Sequence, residues 1–170
     1  YKDDERVIGQ VLGGDTSAFA MLVDNHKKKV FNLAFRILGN REDAEEVAQD
    51  TFVKAFHSLA KFRGESPFRA WIMRITYNAA LTRLKKRKKT EISFDAPGMD
   101  RHLMNMQSNL VDDLHREERK KIIGVALDQL KEEEKTSIML FYLYGHPIRE
   151  ISEIMKLAES NVKIHLFRGR

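Results

Sequence analysis

His26, His57, His102, His115, His146 and His165 are the residues that would first suggest chemistry, but they are scattered, and no cysteine is present to complete a ligand set. No nucleophile motif and no glycine-rich phosphate loop occurs. Asp43, Glu46 and Asp50 fall on one face of an expected helix, and three carboxylates on one helix ordinarily make a solvated face. The expectation is therefore no catalytic residue, no metal, no cofactor and no enzyme activity. The remaining chemistry is recognition. Ile148 to Met155, Lys156-Leu157-Ala158 and Glu159 to Arg168 have helix-turn-helix spacing. Ile151, Ile154, Leu157, Val162 and Leu166 can form a small core, and the second helix presents Ser160, Asn161, Lys163, Ile164, His165, Phe167 and Arg168, some inward and some outward. Such a helix fits the major groove, where Asn, Lys and Arg match base-edge donors and acceptors. Periodicity alone equally allows two packed helices with a charged, solvated face.

Charge placement adds a second signal. The 170 residues carry a net +5, with an acidic stretch at Asp43, Glu45, Glu46 and Asp50. A basic stretch follows: Lys61, Arg63, Arg69, Arg74, Arg83, then Lys85 to Lys89. This asymmetry suggests two partners of opposite charge. The absence of cysteine favours a reducing interior, and no apolar run reaches membrane-spanning length or resembles a signal-peptide core. A start at Tyr1 suggests a trimmed terminus, and a stop at Arg170 suggests a tail beyond it.

The elements that must position these side chains are helices. Residues 3–12 read as a short helix ended by Gly13-Gly14, after which Asp15, Thr16 or Ser17 can cap the next. Phe19, Leu22, Val23, Val30, Leu33, Ala34, Ile37 and Leu38 form an amphipathic stripe stopped at Gly39. Asn40 with Asp43 resembles a capping box opening a helix with Ala44, Val47, Ala48, Phe52, Ala55, Phe56 and Leu59 on its apolar side. Phe62 to Glu65 breaks the pattern. Ser66 then reads as an N-cap and Pro67 as the first turn of a helix carrying Phe68, Trp71, Ile72, Ile75 and Ala79 as far as Lys89. Three long helices with short turns imply an antiparallel bundle. Residues 90–113 lose periodicity and read as a flexible linker. Helical spacing returns at Ile122, Ile123, Ala126, Leu127 and Leu130, then over Ile138 to Tyr144, before Gly145-His146-Pro147 and the last two short helices. The fold class is all-α: two small helical domains, an N-terminal bundle and a C-terminal helix-turn-helix domain, joined by a linker.

These residues carry a resemblance. Phe19 to Leu38, Gly39-Asn-Arg-Glu-Asp-Ala-Glu-Glu-Val-Ala-Gln-Asp-Thr-Phe-Val-Lys-Ala-Phe56, Phe62-Arg-Gly-Glu-Ser-Pro-Phe-Arg-Ala-Trp-Ile-Met-Arg-Ile75 and Asn78 resemble region 2 of extracytoplasmic-function (ECF) RNA polymerase sigma factors. Leu127-Asp-Gln-Leu130, Tyr142, Gly145, Glu150-Ile151, Glu153-Ile154, Val162-Lys163 and Arg168 resemble region 4. The resemblance implies region 2 at 1–89, a linker at 90–115 and region 4 at 116–170. It further implies a cytoplasmic initiation factor that binds core RNA polymerase, directs promoter-specific initiation and assists melting. Asp43, Glu46, Gln49, Asp50 and Thr51 would dock on the polymerase, an acidic face answering a basic one. Phe62, Arg63, Gly64, Glu65 and Ser66 would capture a flipped minus-ten base, with Arg74, Tyr77, Asn78, Arg83, Lys85 and Lys86 lining the DNA side of the third helix. Ser160, Asn161, Lys163, Ile164, His165, Phe167 and Arg168 would read the minus-thirty-five element. The linker would thread toward the polymerase cleft, bearing Asp95, Asp100, Asp112 and Asp113. An anti-sigma protein is an implied partner; membrane insertion is not.

The chain departs from the family pattern in three places. Lys156 stands where Gly is frequent, Ala158 where Ser or Thr caps the last helix, and His165 where Arg is common. Lys156 adopts a left-handed turn less readily, and Ala158 cannot accept a capping bond worth about 1 kcal/mol, a role open to Glu159 or Ser160 instead; the third bears on base preference. The rival reading is a dimeric helix-turn-helix regulator acting without polymerase. The acidic helix and the Phe62–Pro67 loop argue against it, since a simple repressor has no use for them.

Overall fold

A computed structural model describes residues 2–91 and 129–169, and every regular element among them is helical. Helix α1 spans Lys2–Leu12, α2 Phe19–Leu38, α3 Arg41–Ser58 and α4 Phe68–Glu91; α5 Glu132–Ile138, α6 Ile148–Met155 and α7 Glu159–Arg168 follow. Residues 90 and 91 of the expected linker, 90–115, instead end α4; the rest of it and the periodic positions Ile122, Ile123, Ala126 and Leu127 lie outside the described residues.

Local chemistry sets the boundaries. Gly39 takes the left-handed conformation at φ 65° and its N–H bonds the Phe35 carbonyl at 2.8 Å, ending α2. Asn40 opens α3, its Oδ1 accepting from the Asp43 N–H at 2.9 Å. Two expected starts are corrected. A short 3₁₀ turn, Thr16–Ala18, precedes α2, so no side chain caps that helix directly. At α4 the Pro67 carbonyl accepts from Ala70 and Trp71, which puts Pro67 at the cap and Ser66 one residue before it. The run expected at Ile138 to Tyr144 is instead the end of α5 and a single π turn, Met139–Leu143, closed by the Tyr144 N–H on the Met139 carbonyl.

Helices α2, α3 and α4 pack against one another in the expected bundle, and α1 lies along α2. Leu22, Val30, Leu33, Ala34, Ile37 and Leu38 from α2 meet Ala44, Val47 and Ala55 from α3 and Phe68, Ile72 and Met73 from α4. The gap in the α2 stripe is filled by His26, buried, 3.1 Å from Asp4 Oδ2 and edge-on to Phe68. In the C-terminal module Met139, Leu140, Ile151, Ile154, Val162 and Leu166 form the core, with Leu157 partly buried beside them.

Helix α4 is the wall shared by both modules, because α6 packs on its other side. Ala70, Met73, Thr76, Tyr77 and Ala80 are buried along with the expected Phe68 and Ile72, while Trp71, Ile75 and Ala79 are only partly covered. A helix buried on two sides has no single apolar stripe.

Candidate functional site

The acidic face of α3 is a ridge whose members differ in environment. Glu46, Gln49 and Asp50 are exposed, with Val53 exposed one turn further on. Asp43 is partly buried in an ion cluster with α4. Arg83 Nη2 lies 2.6 Å from Asp43 Oδ1 and 2.7 Å from Glu46 Oε2, and Arg87 Nη1 lies 3.5 Å from Asp43 Oδ2. The hydrogen bond to Asp43, then its charge, raises the Arg83 pKa above its ordinary value. Arg87 also donates to the Leu38 carbonyl at 3.0 Å, tying α4 to the end of α2. Thr51 turns inward: it is fully buried and its hydroxyl donates to the Val47 carbonyl at 2.8 Å, since its position on α3 falls on the bundle side.

The loop between α3 and α4 keeps Arg63, Gly64 and Glu65 exposed and Phe62 and Ser66 partly buried. Gly64 has φ 68°, and a side chain there would meet nothing within 4 Å, so its need for glycine is conformational. Phe62 packs 5.1 Å from the Trp71 ring and 5.9 Å from Phe68. Loop residues 61–66, with Trp71 and Arg74, line an open cleft of about 490 Å³ whose far wall is Arg149 and Glu153 of α6. Along α4, Asn78, Lys85 and Lys86 are exposed. Tyr77 is not: it is buried near Glu132 and Glu133 of the C-terminal module, and desolvation first, then those two charges, push its phenol up to about 12. The sequence could not signal this, because those two charges come from residues more than fifty positions away.

On α7, Ser160, Asn161, Lys163, Ile164, Phe167 and Arg168 are exposed, His165 is partly buried, and Val162 and Leu166 face the core. Phe167 is 79% exposed, unusual for a phenylalanine on a small domain. The turn before α7 is built despite its unfavourable residues. Lys156 takes φ 55°, ψ 44°, and its N–H bonds the Ser152 carbonyl. Ala158 holds cap-like angles of −63° and 145° without a capping side chain.

One cluster joins the modules and was not expected. Arg69 Nη2 on α4 lies 2.9 Å from Glu150 Oε1 on α6, and Glu150 Oε2 lies 2.7 Å from His146 Nδ1. The His146 side chain is 2% exposed, Glu150 11% and Arg69 23%. Burial is the main cause that lowers the His146 pKa from its ordinary 6.5; Glu150 opposes it, and Arg69 and Lys29 add to it. His146 and Glu150 are four residues apart, a visible spacing, but nothing near Arg69 announces a partner 81 positions on.

Among the described residues no His, Asp and Glu group could hold a metal ion, and no helix is long and apolar enough to cross a membrane. The chain is similar to known proteins in both modules. Residues 22–90 match sigma-70 region 2 and residues 120–170 match sigma-70 region 4. The ECF RNA polymerase sigma factor SigW of Bacillus subtilis is 32% identical over 170 residues, covering 96% of this chain and 90% of that protein. The ECF RNA polymerase sigma-E factor of Haemophilus influenzae is 33% identical over 174 residues, covering 98% and 91%. Among solved structures, RpoE of Bartonella quintana in complex with the anti-sigma factor NepR has a TM-score of 0.76 at 20% identity, covering 89% of this chain and 91% of that one. CnrH in complex with the cytosolic domain of CnrY has 0.68 at 23%, covering 98% and 92%; at such identities both speak for the fold. Two matched regions in order and similarity to named sigma factors over about nine-tenths of their length lead to one assignment: the chain belongs to the ECF family of RNA polymerase sigma factors and serves promoter-specific transcription initiation.

Proposed function

We propose that the exposed part of the α3 ridge, Glu46, Gln49 and Asp50, grips core RNA polymerase, with Asp43 completing it and Arg83 holding the carboxylates of Asp43 and Glu46 in place. The observation that carries this reading is the ridge itself: the exposed carboxylates of Glu46 and Asp50 one helical turn apart, with Glu46 and the neighbouring Asp43 held from behind by Arg83. The Phe62–Ser66 loop receives a minus-ten base, its aromatic floor of Phe62 and Trp71 offering a stacking surface. Arg74, Asn78, Lys85 and Lys86 follow the strand, joined by Tyr77 once it is uncovered. Ser160, Asn161, Lys163, Ile164, His165, Phe167 and Arg168 read the minus-thirty-five duplex, with Arg83 supporting the ridge rather than DNA. Residues 1–89 and 116–170 act as the two modules, with 90–115 as tether. The chain works in the cytoplasm, where its polymerase is, without catalytic activity or cofactor of its own. An anti-sigma protein of the kind bound to the Bartonella quintana RpoE would seat on the exposed apolar residues Val53, Phe56, Ile164 and Phe167.

Run-off transcription with purified core polymerase on genomic DNA, with the starts sequenced, tests the reading. Discrete starts that depend on the chain support it. Asp50→Lys should abolish core binding with helicity unchanged, because Asp50 is exposed. Retained core affinity refutes the ridge assignment, and tight duplex binding by the protein alone would favour an operator-binding regulator.

A further inference from the structure

Two polar residues stand where apolar ones would pack. On α1 the buried positions Val7, Ile8 and Val11 continue back, at steps of three and four, to Asp4. On α2 the steps of four from Leu22 to Val30 pass through His26. The two residues face each other: His26 Nε2 lies 3.1 Å from Asp4 Oδ2, and the side chains are only 9% and 14% exposed. A carboxylate only accepts, so Nε2 donates and Asp4 fixes the plane of the imidazole. An apolar pair at these positions would join α1 to α2 without the desolvation cost. What the polar pair adds is orientation.

The oriented ring stands edge-on to Phe68, with centroids 5.4 Å apart at 63°. Phe68 is buried and is the first residue of α4, directly after the loop. On its other side it meets Phe62 at 5.9 Å and 88° and Trp71 at 5.6 Å and 42°. Phe62 and Trp71 are themselves 5.1 Å apart and line the cleft. Ring contacts of this kind have preferred angles, so the tilt of one ring constrains the next. A continuous packed path thus runs from an acid on α1 to the floor of the cleft. His26 and Phe68 fall inside the match to region 2, residues 22–90, whereas Asp4 precedes it.

We propose that Asp4 and His26 are positioning residues for the minus-ten pocket: Asp4 sets the imidazole, the imidazole sets Phe68, and Phe68 sets the Phe62–Trp71 floor on which the base stacks. The role of the floor rests on the functional reading above; the path from α1 to it does not. Both residues lie behind the floor and act on the base only through it.

Trp71 is the one tryptophan of the chain, so its fluorescence reports the floor in the full chain without polymerase or DNA. Asp4→Ala should raise the quenching of Trp71 by acrylamide and shift its emission to the red. Asp4→Asn, whose amide oxygen still accepts from Nε2, should stay near the parent. Asp3→Ala, one position away and exposed, should change nothing. The double variant Asp4→Ala, His26→Leu regains an apolar contact, so its thermal midpoint should be no lower than the parent's. It should keep the Trp71 change, because leucine offers no ring edge. With core polymerase and a promoter fragment carrying 2-aminopurine at the flipped minus-ten position, opening should slow about threefold to tenfold in Asp4→Ala and in the double variant, the worth of one ring contact. Core affinity and minus-thirty-five duplex binding should stay constant.

An unchanged Trp71 signal in Asp4→Ala, or a parent-like one in the double variant, overturns the path. A Trp71 response without slower opening overturns its role in the pocket. Parallel losses of core affinity and duplex binding would reduce the pair to a fold contact and overturn the proposal as well. A parent chain that leaves the fragment closed counts against the minus-ten reading instead, and the Trp71 measurements decide the path without it.

Discussion

Replacing Lys156 by Gly and Ala158 by Ser should stabilise the protein, although both are exposed and neither touches the core. Lys156 is the one described non-glycine residue at positive φ, 55°. A left-handed L-residue costs about 1–2 kcal/mol. Glycine relieves that cost but returns about 0.5–1 kcal/mol through its freer unfolded chain. The net gain is about 0.5–1 kcal/mol. Ala158 already has extended cap angles at the start of α7 and lacks only a side-chain acceptor; serine supplies one to the first turn, worth about 1 kcal/mol. Together the changes should add about 1.5–2 kcal/mol and raise the thermal midpoint by roughly 3–8 °C for a chain of this size. Each single variant and the pair would be followed by circular dichroism at 222 nm through heating and through urea. A midpoint unchanged or lowered by Lys156→Gly would mean that the residue is not held left-handed, and the account of the turn would be wrong. No gain from Ala158→Ser would mean that the first N–H groups of α7 are satisfied elsewhere.

Gly64→Ala should cost about 1–2 kcal/mol or force the loop to a new path, since the limit is backbone rather than space; promoter melting followed by a fluorescent base should weaken while minus-thirty-five duplex binding stays constant. Lys163→Ala, on the outward face of α7, should lower the log–log salt dependence of duplex binding by about 0.9 if it neutralises one phosphate; an unchanged slope would remove it from the contact. Tyr77 and Tyr144 both hold their protons to about pH 12 because burial disfavours the phenolate. An acid whose folded pKa is raised from 10 stabilises fully below pH 10 and loses that contribution as pH rises toward 12. Denaturant midpoints should therefore fall over that window, and fall less in the Tyr77→Phe, Tyr144→Phe pair.

Where one helix faces one core, local pattern was a sufficient guide. The α2 stripe, its stop at Gly39 and the Asn40 cap were readable because each is decided within four residues. The core of α6 and α7 was readable for the same reason, whereas which of Ser160 to Arg168 face outward was not fixed by the spacing. Thr51 and Tyr77 are buried for two different reasons that the sequence did not announce. Thr51 is small and polar, and only its hydrogen bond to the Val47 carbonyl lets it sit inside. Tyr77 is on a helix face that a lone N-terminal bundle would leave open, and the cover arrives from the far end of the chain. Arg83 had the composition of a DNA contact, but its guanidinium sits 2.6 Å from Asp43, a choice made by the angle between α3 and α4. Pairings between distant charges of this kind depend on tertiary geometry, and no spacing rule encodes them.

Because α4 serves as the common wall of both modules, grafting is constrained in a way that independent domains would not be. A hybrid joining residues up to about 91 to the C-terminal half of a relative would keep each small core intact. Its Arg69 would meet a foreign α6 surface, and Met73 and Tyr77 would meet side chains not shaped for them. Such a hybrid should fold with a poorly fitted seam between its modules. Restoring the fit would require carrying the α6 contact surface across together with the last helix.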